Sequence, residues 1–257
     1  MSTIREIVNI IESFAPLYNQ ASYDNSGLLY GDLGWECKGV IITLDTSIDV
    51  VDEAIQKGAN LIVEHHPSIF MPIKKIDLKL PKHRAIAKAI KNDVAIYSAH
   101  TSIDFTQGGL NDRVISMLGC SSFAPLNDEL QNMRVGLLNE AIYLSQLVKR
   151  VECLFNDSHI AFVGDGCKKI EKIAVVNGGG GSQESELIKA MECGADVFIS
   201  GDFKYNVLRL AKDLDFPVIV FGHYDSEMPF IELIKELLIK EKIENVFGAT
   251  TCTNPLN

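Results

Sequence analysis

The sequence predicts an α/β fold built of two similar halves, and three observations carry that prediction. Short apolar runs alternate with stretches of helical periodicity, the pattern of a parallel sheet with helices on its faces. Three of those runs, at 61–64, 94–99 and 217–222, end in histidine, as ligand-gathering strands of open α/β sheets do at their carboxyl ends. The stretch Gly58-Ala-Asn-Leu-Ile-Val-Glu-His-His66 also lines up without a gap on Gly194-Ala-Asp-Val-Phe-Ile-Ser-Gly-Asp202, which reads as an internal duplication.

Taken in order, Thr3-Ile-Arg-Glu6 has the form of a capping box, and Ile4, Ile7, Val8, Ile11 and Phe14 repeat at helical spacing until Pro16 closes the helix. Residues 23–29 read as a polar turn into apolar residues. A strand at 39–44 is followed by Asp45-Thr-Ser, which starts a helix through Val50, Val51 and Ala54 that ends at Gly58. Leu61 to Glu64 is the next strand, with His65, His66 and the turn-forming Pro67 at its tip. The connection 67–81 is long for a compact domain, which marks it as functional or as an interface. A helix at 83–92 leads to the strand before His100, and 114–118 is helical.

The polar stretch 121–132 is the candidate boundary, giving halves 1–125 and 126–257, with the C-terminal part packing back on the first half. Beyond it the pattern predicts a helix at 140–155, strands at 159–163 and 172–176, a helix through Leu187 and Ile188, and a strand leading to Asp202. A helix through Val207, Leu208 and Leu210 precedes the strand that reaches His223. A last helix spans 229–240 and a closing strand starts at Val246.

Composition narrows the function classes. The net charge of −10 argues against a general nucleic-acid or anionic-membrane surface. Six cysteines occur with no CxxC pair, so reduced thiols in a cytosolic protein are expected rather than a zinc ribbon. The first residues lack the apolar core of a signal peptide, and no apolar run approaches a membrane span. The expected location is cytoplasmic.

The chemistry sits at the strand ends. Neighbouring residues on a strand face opposite sides, so His65 and His66 can serve one site only where the strand has ended. An isolated pair is as readily a cap or a surface feature, but this pair is not isolated. Ala99-His100 leads to Asp104, and Gly222-His223 leads to Glu227, each carboxylate four positions after its histidine. Such i, i+4 pairs face one way if a helix begins there. Four of the six histidines and two carboxylates therefore gather at three strand ends, a ligand mix suited to zinc, iron or manganese. If the duplication holds, one shared site fits a first half supplying the histidine pair and Asp104 and a second supplying His223 and Glu227. Asp202 then stands where the second half has lost its imidazoles. The loop Asn177-Gly-Gly-Gly-Gly-Ser182 lacks the ending of a P-loop, and Gly178–Gly181 read better as a tight strand–helix turn than as a phosphate cradle.

The combination Asp24-Asn25-Ser26-Gly27-Leu28, His65-His66-Pro67, Ser98-Ala-His100-Thr-Ser-Ile-Asp104, Gly201-Asp-Phe-Lys-Tyr205 and Gly222-His223-Tyr-Asp-Ser-Glu227 resembles the YbgI/Nif-three-like family, whose bacterial members are known as GTP cyclohydrolase I type 2 homologs. The resemblance covers nearly the whole chain. It implies two α/β halves, a dinuclear metal centre with His65, His66, Asp104, His223 and Glu227 as ligands of two divalent ions, and ring-shaped homohexamers. One departure is Asn206, where the family usually has histidine; an amide cannot carry that imidazole's proton.

Five ligands leave two ions short of closed shells, the mark of a catalytic site. The function implied is hydrolytic attack by a metal-bound hydroxide on a small-molecule substrate, in the manner of a GTP cyclohydrolase acting on a nucleotide. The alternative is a non-catalytic, ring-forming metal-binding adaptor or scaffold. His100 is the candidate acid–base group or an orienting partner of the ligands, and equally a residue that anchors the turn aiming Asp104. Glu227, one methylene longer than Asp104, is expected to bridge the ions, and Asp202 to be dispensable for metal.

Overall fold

The computed structural model describes residues 2–126, 132–155 and 160–256, which divide into two compact units, 1–106 with 230–257 and 107–229. In the first unit, helix α1 (Ile4–Phe14) opens on the expected capping box: Glu6 N–H donates to Thr3 Oγ1 and Thr3 N–H to Glu6 Oε2. Such a cap contributes about 1 kcal/mol. Strand β1 (Gly27–Tyr30) forms where the sequence suggested a turn, because its residues find β4 across the sheet edge. Then follow β2 (Val40–Thr43), α2 (Ile48–Gln56), β3 (Leu61–Glu64), α3 (Pro81–Lys91), β4 (Ala95–Ser98) and the short α4 (Thr101–Phe105).

The second unit holds α5 (Leu110–Met117), β5 (Cys120–Pro125), β6 (Arg134–Tyr143), α6 (Leu144–Phe155), β7 (Ala161–Val163), β8 (Lys169–Val176), α7 (Glu184–Glu192), β9 (Val197–Ser200), α8 (Tyr205–Asp213), β10 (Val218–Val220) and α9 (His223–Glu227). The chain returns to the first unit with α10 (Pro229–Lys240) and β11 (Val246–Gly248), the latter parallel to β2.

The first sheet has the order β1-β4-β3-β2-β11 and the second β5-β6-β8-β9-β10-β7. In each, three consecutive strands run parallel (β2-β3-β4 and β8-β9-β10), and an antiparallel strand closes the edge beside the third. Strands β2, β3, β4 and β9 are buried along their whole length, which explains why each reads as an apolar run up to its last residue, Thr43, Glu64, Ser98 and Ser200. The duplication is thus visible in the topology: β3 and β9 are the aligned strands, and α4 and α9 both start at the histidine end of a third parallel strand.

Two expectations shift. Residues 140–143 extend β6 instead of beginning α6, since Ile142 and Tyr143 pair with Ile170 and Lys169 of β8. The division expected at 125/126 falls at 106/107, because β5 pairs with β6 and α5 packs Val114, Ile115 and Leu118 into the apolar core of the second sheet. Part of the polar stretch, 127–131, and His159 of the expected strand at 159–163 lie outside the described residues. No helix among the described residues is long and apolar enough to cross a membrane.

Candidate functional site

In the first unit the ladder between β2 and β3 continues past the strands: His65 N–H donates to Thr43 O and His66 N–H to Leu44 O. The turn is then closed by the buried Glu64, whose Oε1 accepts from Ser68 N–H at 2.6 Å. Burial pushes the Glu64 carboxyl up to about 7, against the opposing hydrogen bonds of Ser68 and Thr46. Both imidazoles are thereby turned off the strand, as Pro67 suggested.

Each ring is held by one nitrogen. His65, fully buried, directs Nδ1 to Ala99 O at 2.9 Å. A carbonyl only accepts, so Nδ1 carries a hydrogen and Nε2 is the nitrogen left to coordinate in the neutral ring; it lies 3.9 Å from Asp104 Oδ1. His66 Nδ1 is 3.0 Å from Asp45 Oδ1, and the other oxygen of Asp45 accepts from Thr253 Oγ1 at 3.1 Å. His100 Nδ1 is 2.8 Å from Asp24 Oδ1. Asp24 also accepts from Thr101 N–H, Thr101 Oγ1 and Ser26 Oγ. Burial works to raise its pKa, but the His100 partner and these donors hold the carboxyl well below the usual carboxylate range. The rings of His65, His66 and His100 lie 5.1–5.9 Å apart between centroids, and Phe230 packs on His65 at 4.9 Å.

In the second unit His223 opens α9 and Glu227 ends it, with Nε2 and Oε2 3.3 Å apart. His223 Nδ1 reaches Asp202 Oδ2 at 2.6 Å. Asp202 first, then Glu227, push the imidazole up to about 10 against its burial. Two carboxylates that hold a proton on His223 also favour a metal cation at Nε2 in its place. Asp202, aligned with His66 in the other half, thus stands behind the His223 ring.

The glycine loop packs this pair from below. Gly178 has φ +56°, and a Cβ there would fall 2.1 Å from Glu227 Oε1 and 3.2 Å from His223 Nε2. At Gly201 a Cβ would meet Gly178 O at 2.7 Å and Ser226 Oγ at 2.8 Å. Most of the loop amides are already used: Gly178 N–H donates to Ser226 Oγ, Gly180 N–H to Asn177 O, Gly181 N–H to Ser200 Oγ and Ser182 N–H to Gly179 O. This is a tight turn, and its amides are not gathered for a phosphate. Asn206 donates from Nδ2 to Glu184 Oε1 at 2.6 Å, so it joins the start of α8 to the start of α7.

Each expected ligand thus stands at a strand end of its own unit: His65, His66 and Asp104 in the first, with His100 beside them, and His223 with Glu227 in the second. All four histidines have Nδ1 within hydrogen-bond reach of an oxygen acceptor, which leaves Nε2 as the donor atom. Metal-ligating imidazoles are oriented in this way by carboxylates or carbonyls behind them. The donor set, imidazole nitrogen with carboxylate oxygen, suits a divalent first-row ion. Sequence reasoning did not identify Asp24, Asp45, Asp202 and Thr253 as the orienting partners. The available signal for Asp202 was its alignment with His66.

The model of the Duf34/NIF3 (NGG1p interacting factor 3) family matches residues 2–255. Among curated proteins, the GTP cyclohydrolase 1 type 2 homolog of Clostridium acetobutylicum is 34% identical over 241 residues, covering 91% of this chain and 89% of that one. The NIF3-like protein 1 of Drosophila melanogaster is 31% identical over 260 residues, covering 97% and 87%. Among solved structures, reduced HcgD from Methanocaldococcus jannaschii superposes with a TM-score of 0.83 at 28% identity, covering 97% of this chain and 98% of that one. A Bacillus cereus protein related to NIF3 gives 0.87 at 24% identity, covering 100% and 99%, a likeness of fold alone.

Proposed function

The chain belongs to the Duf34/NIF3 family, and from its oriented histidines we propose that it is a divalent-metal-dependent hydrolase of a small molecule. The observation that carries this reading is the common arrangement of His65, His66, His100 and His223, each with Nδ1 against an oxygen. The sequence pattern carries the rest of the reading: His65, His66 and Asp104 of one half with His223 and Glu227 of the other would be the ligands of a dinuclear centre. An ion held there supplies Lewis acidity toward a substrate oxygen and acidifies a water.

The chain's own residues supply the rest. Asp45 and Asp202 fix the ring planes of His66 and His223. Glu64 closes the turn that separates the two adjacent imidazoles from the strand. With Nδ1 committed to Asp24, His100 can take or give a proton only at Nε2. Asp24, held charged by its donors, stabilises the imidazolium when Nε2 is protonated. The names of the bacterial relatives point to a purine nucleotide, GTP, as the substrate to try first.

A second reading is a non-catalytic ring, a homohexamer presenting a binding surface. It is favoured by the exposed apolar residues Met71, Ile76, Leu78 and Leu80 of the long connection. One set of measurements separates the two. Tag-free protein purified without chelator is assayed for metal content, for mass by light scattering, and for turnover of GTP, phosphoesters and peptides. Turnover that disappears in Glu227→Gln, with metal content reduced, supports the hydrolase. Silence of fully loaded protein across the panel, with a ring in solution, supports the scaffold.

A further inference from the structure

Two cavities of the first unit adjoin each other along Ser68 and Lys82. One, of about 420 Å3, has His66 in its wall. The other, of about 510 Å3, has Ile69, Phe70 and Met71 together with Lys74, Lys75 and Lys82 in its lining. Both volumes are those of small-molecule sites. Charge distinguishes the second cavity from the rest of the molecule. Residues 67–84 carry five cations, Lys74, Lys75, Lys79, Lys82 and Arg84, and one acid, Asp77, a net of +4 (5 − 1) in a chain of −10.

The segment's shape is set by its own hydrogen bonds. His83 Nδ1 accepts from Asp77 N–H, Asp77 Oδ1 accepts from Lys79 N–H, and the Arg84 guanidinium donates to the carbonyls of Leu78 and Lys79. Asn25 Nδ2 donates to Ile69 O and fastens the start of the segment beside Asp24. Asp77 and Arg84 are therefore occupied in holding the chain. Lys74, Lys75 and Lys82 have no ion-pair partner among the described residues. Three like charges around one cavity repel each other, and a multiply charged anion relieves that repulsion. The apolar lining residues suit a flat or aromatic body, and the Phe70 ring, 6.2 Å from that of His100, leads toward the histidines.

We infer that residues 67–84 form the binding arm for a phosphate-bearing ligand. Its phosphates rest on Lys74, Lys75 and Lys82, and its organic body lies along Ile69, Phe70 and Met71. Lysine binds phosphate as a point charge, so several of them read charge and not one fixed geometry. Because Lys82 and Ser68 belong to both cavities, a ligand seated here extends toward His66. The inference rests on the proposed metal centre only for what happens at that far end. Anion binding itself needs no metal.

The test uses the full chain stripped of metal with a chelator and then dialysed, titrated calorimetrically with ADP, inorganic pyrophosphate and adenosine. ADP is expected to bind best, pyrophosphate less well and adenosine least. Raising NaCl from about 50 to about 200 mM is expected to weaken ADP and pyrophosphate together. The triple substitution Lys74→Ala, Lys75→Ala, Lys82→Ala is expected to weaken ADP by at least about tenfold, with melting temperature and reloaded metal content unchanged. Phe70→Ala should weaken ADP and leave pyrophosphate alone. Absence of ADP binding at millimolar concentration, or a triple variant that binds like the natural chain, overturns the inference. So does a triple variant whose sole defect is lost self-association, which would make the arm an interface between copies. ADP binding by stripped protein, together with no turnover by loaded protein, keeps this inference and defeats the hydrolase reading. Turnover by loaded protein without ADP binding by stripped protein does the reverse.

Discussion

Replacing Gly178 by alanine isolates the role of the glycine loop. At φ +56° an L-residue is left-handed, which costs about 1–2 kcal/mol. The new methyl would also sit 2.1 Å from Glu227 Oε1, where ordinary contact begins near 3.4 Å, so loop or carboxylate must move by about 1.3 Å (3.4 − 2.1). Glu227 is buried and cannot swing into solvent, so the shift is felt as overpacking, another 1–3 kcal/mol or so. The expected loss is about 2–5 kcal/mol of stability, with weaker metal retention because Glu227 is displaced. Gly179→Ala is the control: its φ is not positive and the nearest atom to a Cβ, Ser182 Oγ, is 3.6 Å away. Urea denaturation of both variants, with metal-to-protein ratios measured alongside, decides the matter. Equal midpoints and equal metal content in the two variants would refute the packing account.

Three further outcomes are expected. Asp202→Asn should lower metal affinity about 10–100-fold in a chelator competition while urea stability stays near that of the natural chain, because the amide cannot polarise His223 as a carboxylate does; unchanged affinity would return Asp202 to a bystander. Thr253→Val should loosen Asp45 and with it His66, weakening metal several-fold, whereas Thr253→Ser should preserve it; identical affinities would remove the tail from the site. Burial works to raise the pKa of Glu53, but Lys57 and the donors of Thr250 and Thr251 draw it down to about 2 from 4.5. A depressed folded-state pKa gives stability that is present above pH 4.5 and lost as pH falls from there toward 2, a span of about 3 kcal/mol. Glu53→Gln should remove that part of the acid sensitivity in urea titrations at pH 7 and pH 3, and an unaltered pH profile would count against it.

The strand-end histidines were legible because their signal is local. An apolar run of strand length followed by His65-His66-Pro67, or by a histidine and a carboxylate four positions on, needs no partner to be recognised. The alternation of strands with helices, and the match of 58–66 with 194–202, are likewise carried by neighbours in the chain. Residues 140–143 were misread as helix for the complementary reason. Their periodicity fits a helix, and only pairing with β8 makes them a strand.

What holds the histidines in place was decided by the tertiary structure. Asp24 is 76 positions from His100, Asp45 and Asp202 are each 21 from the ring they orient, and Thr253 is 208 from Asp45. None of these pairings follows from spacing, because each depends on which strand lies beside which: β2 next to β3 brings Asp45 to His66, and β9 next to β10 brings Asp202 to His223. Residue type and period, properties of a short window, determined the elements and the candidate ligands. Sheet order, a property of the whole unit, determined which oxygen stands behind each ring and therefore which nitrogen is left to act.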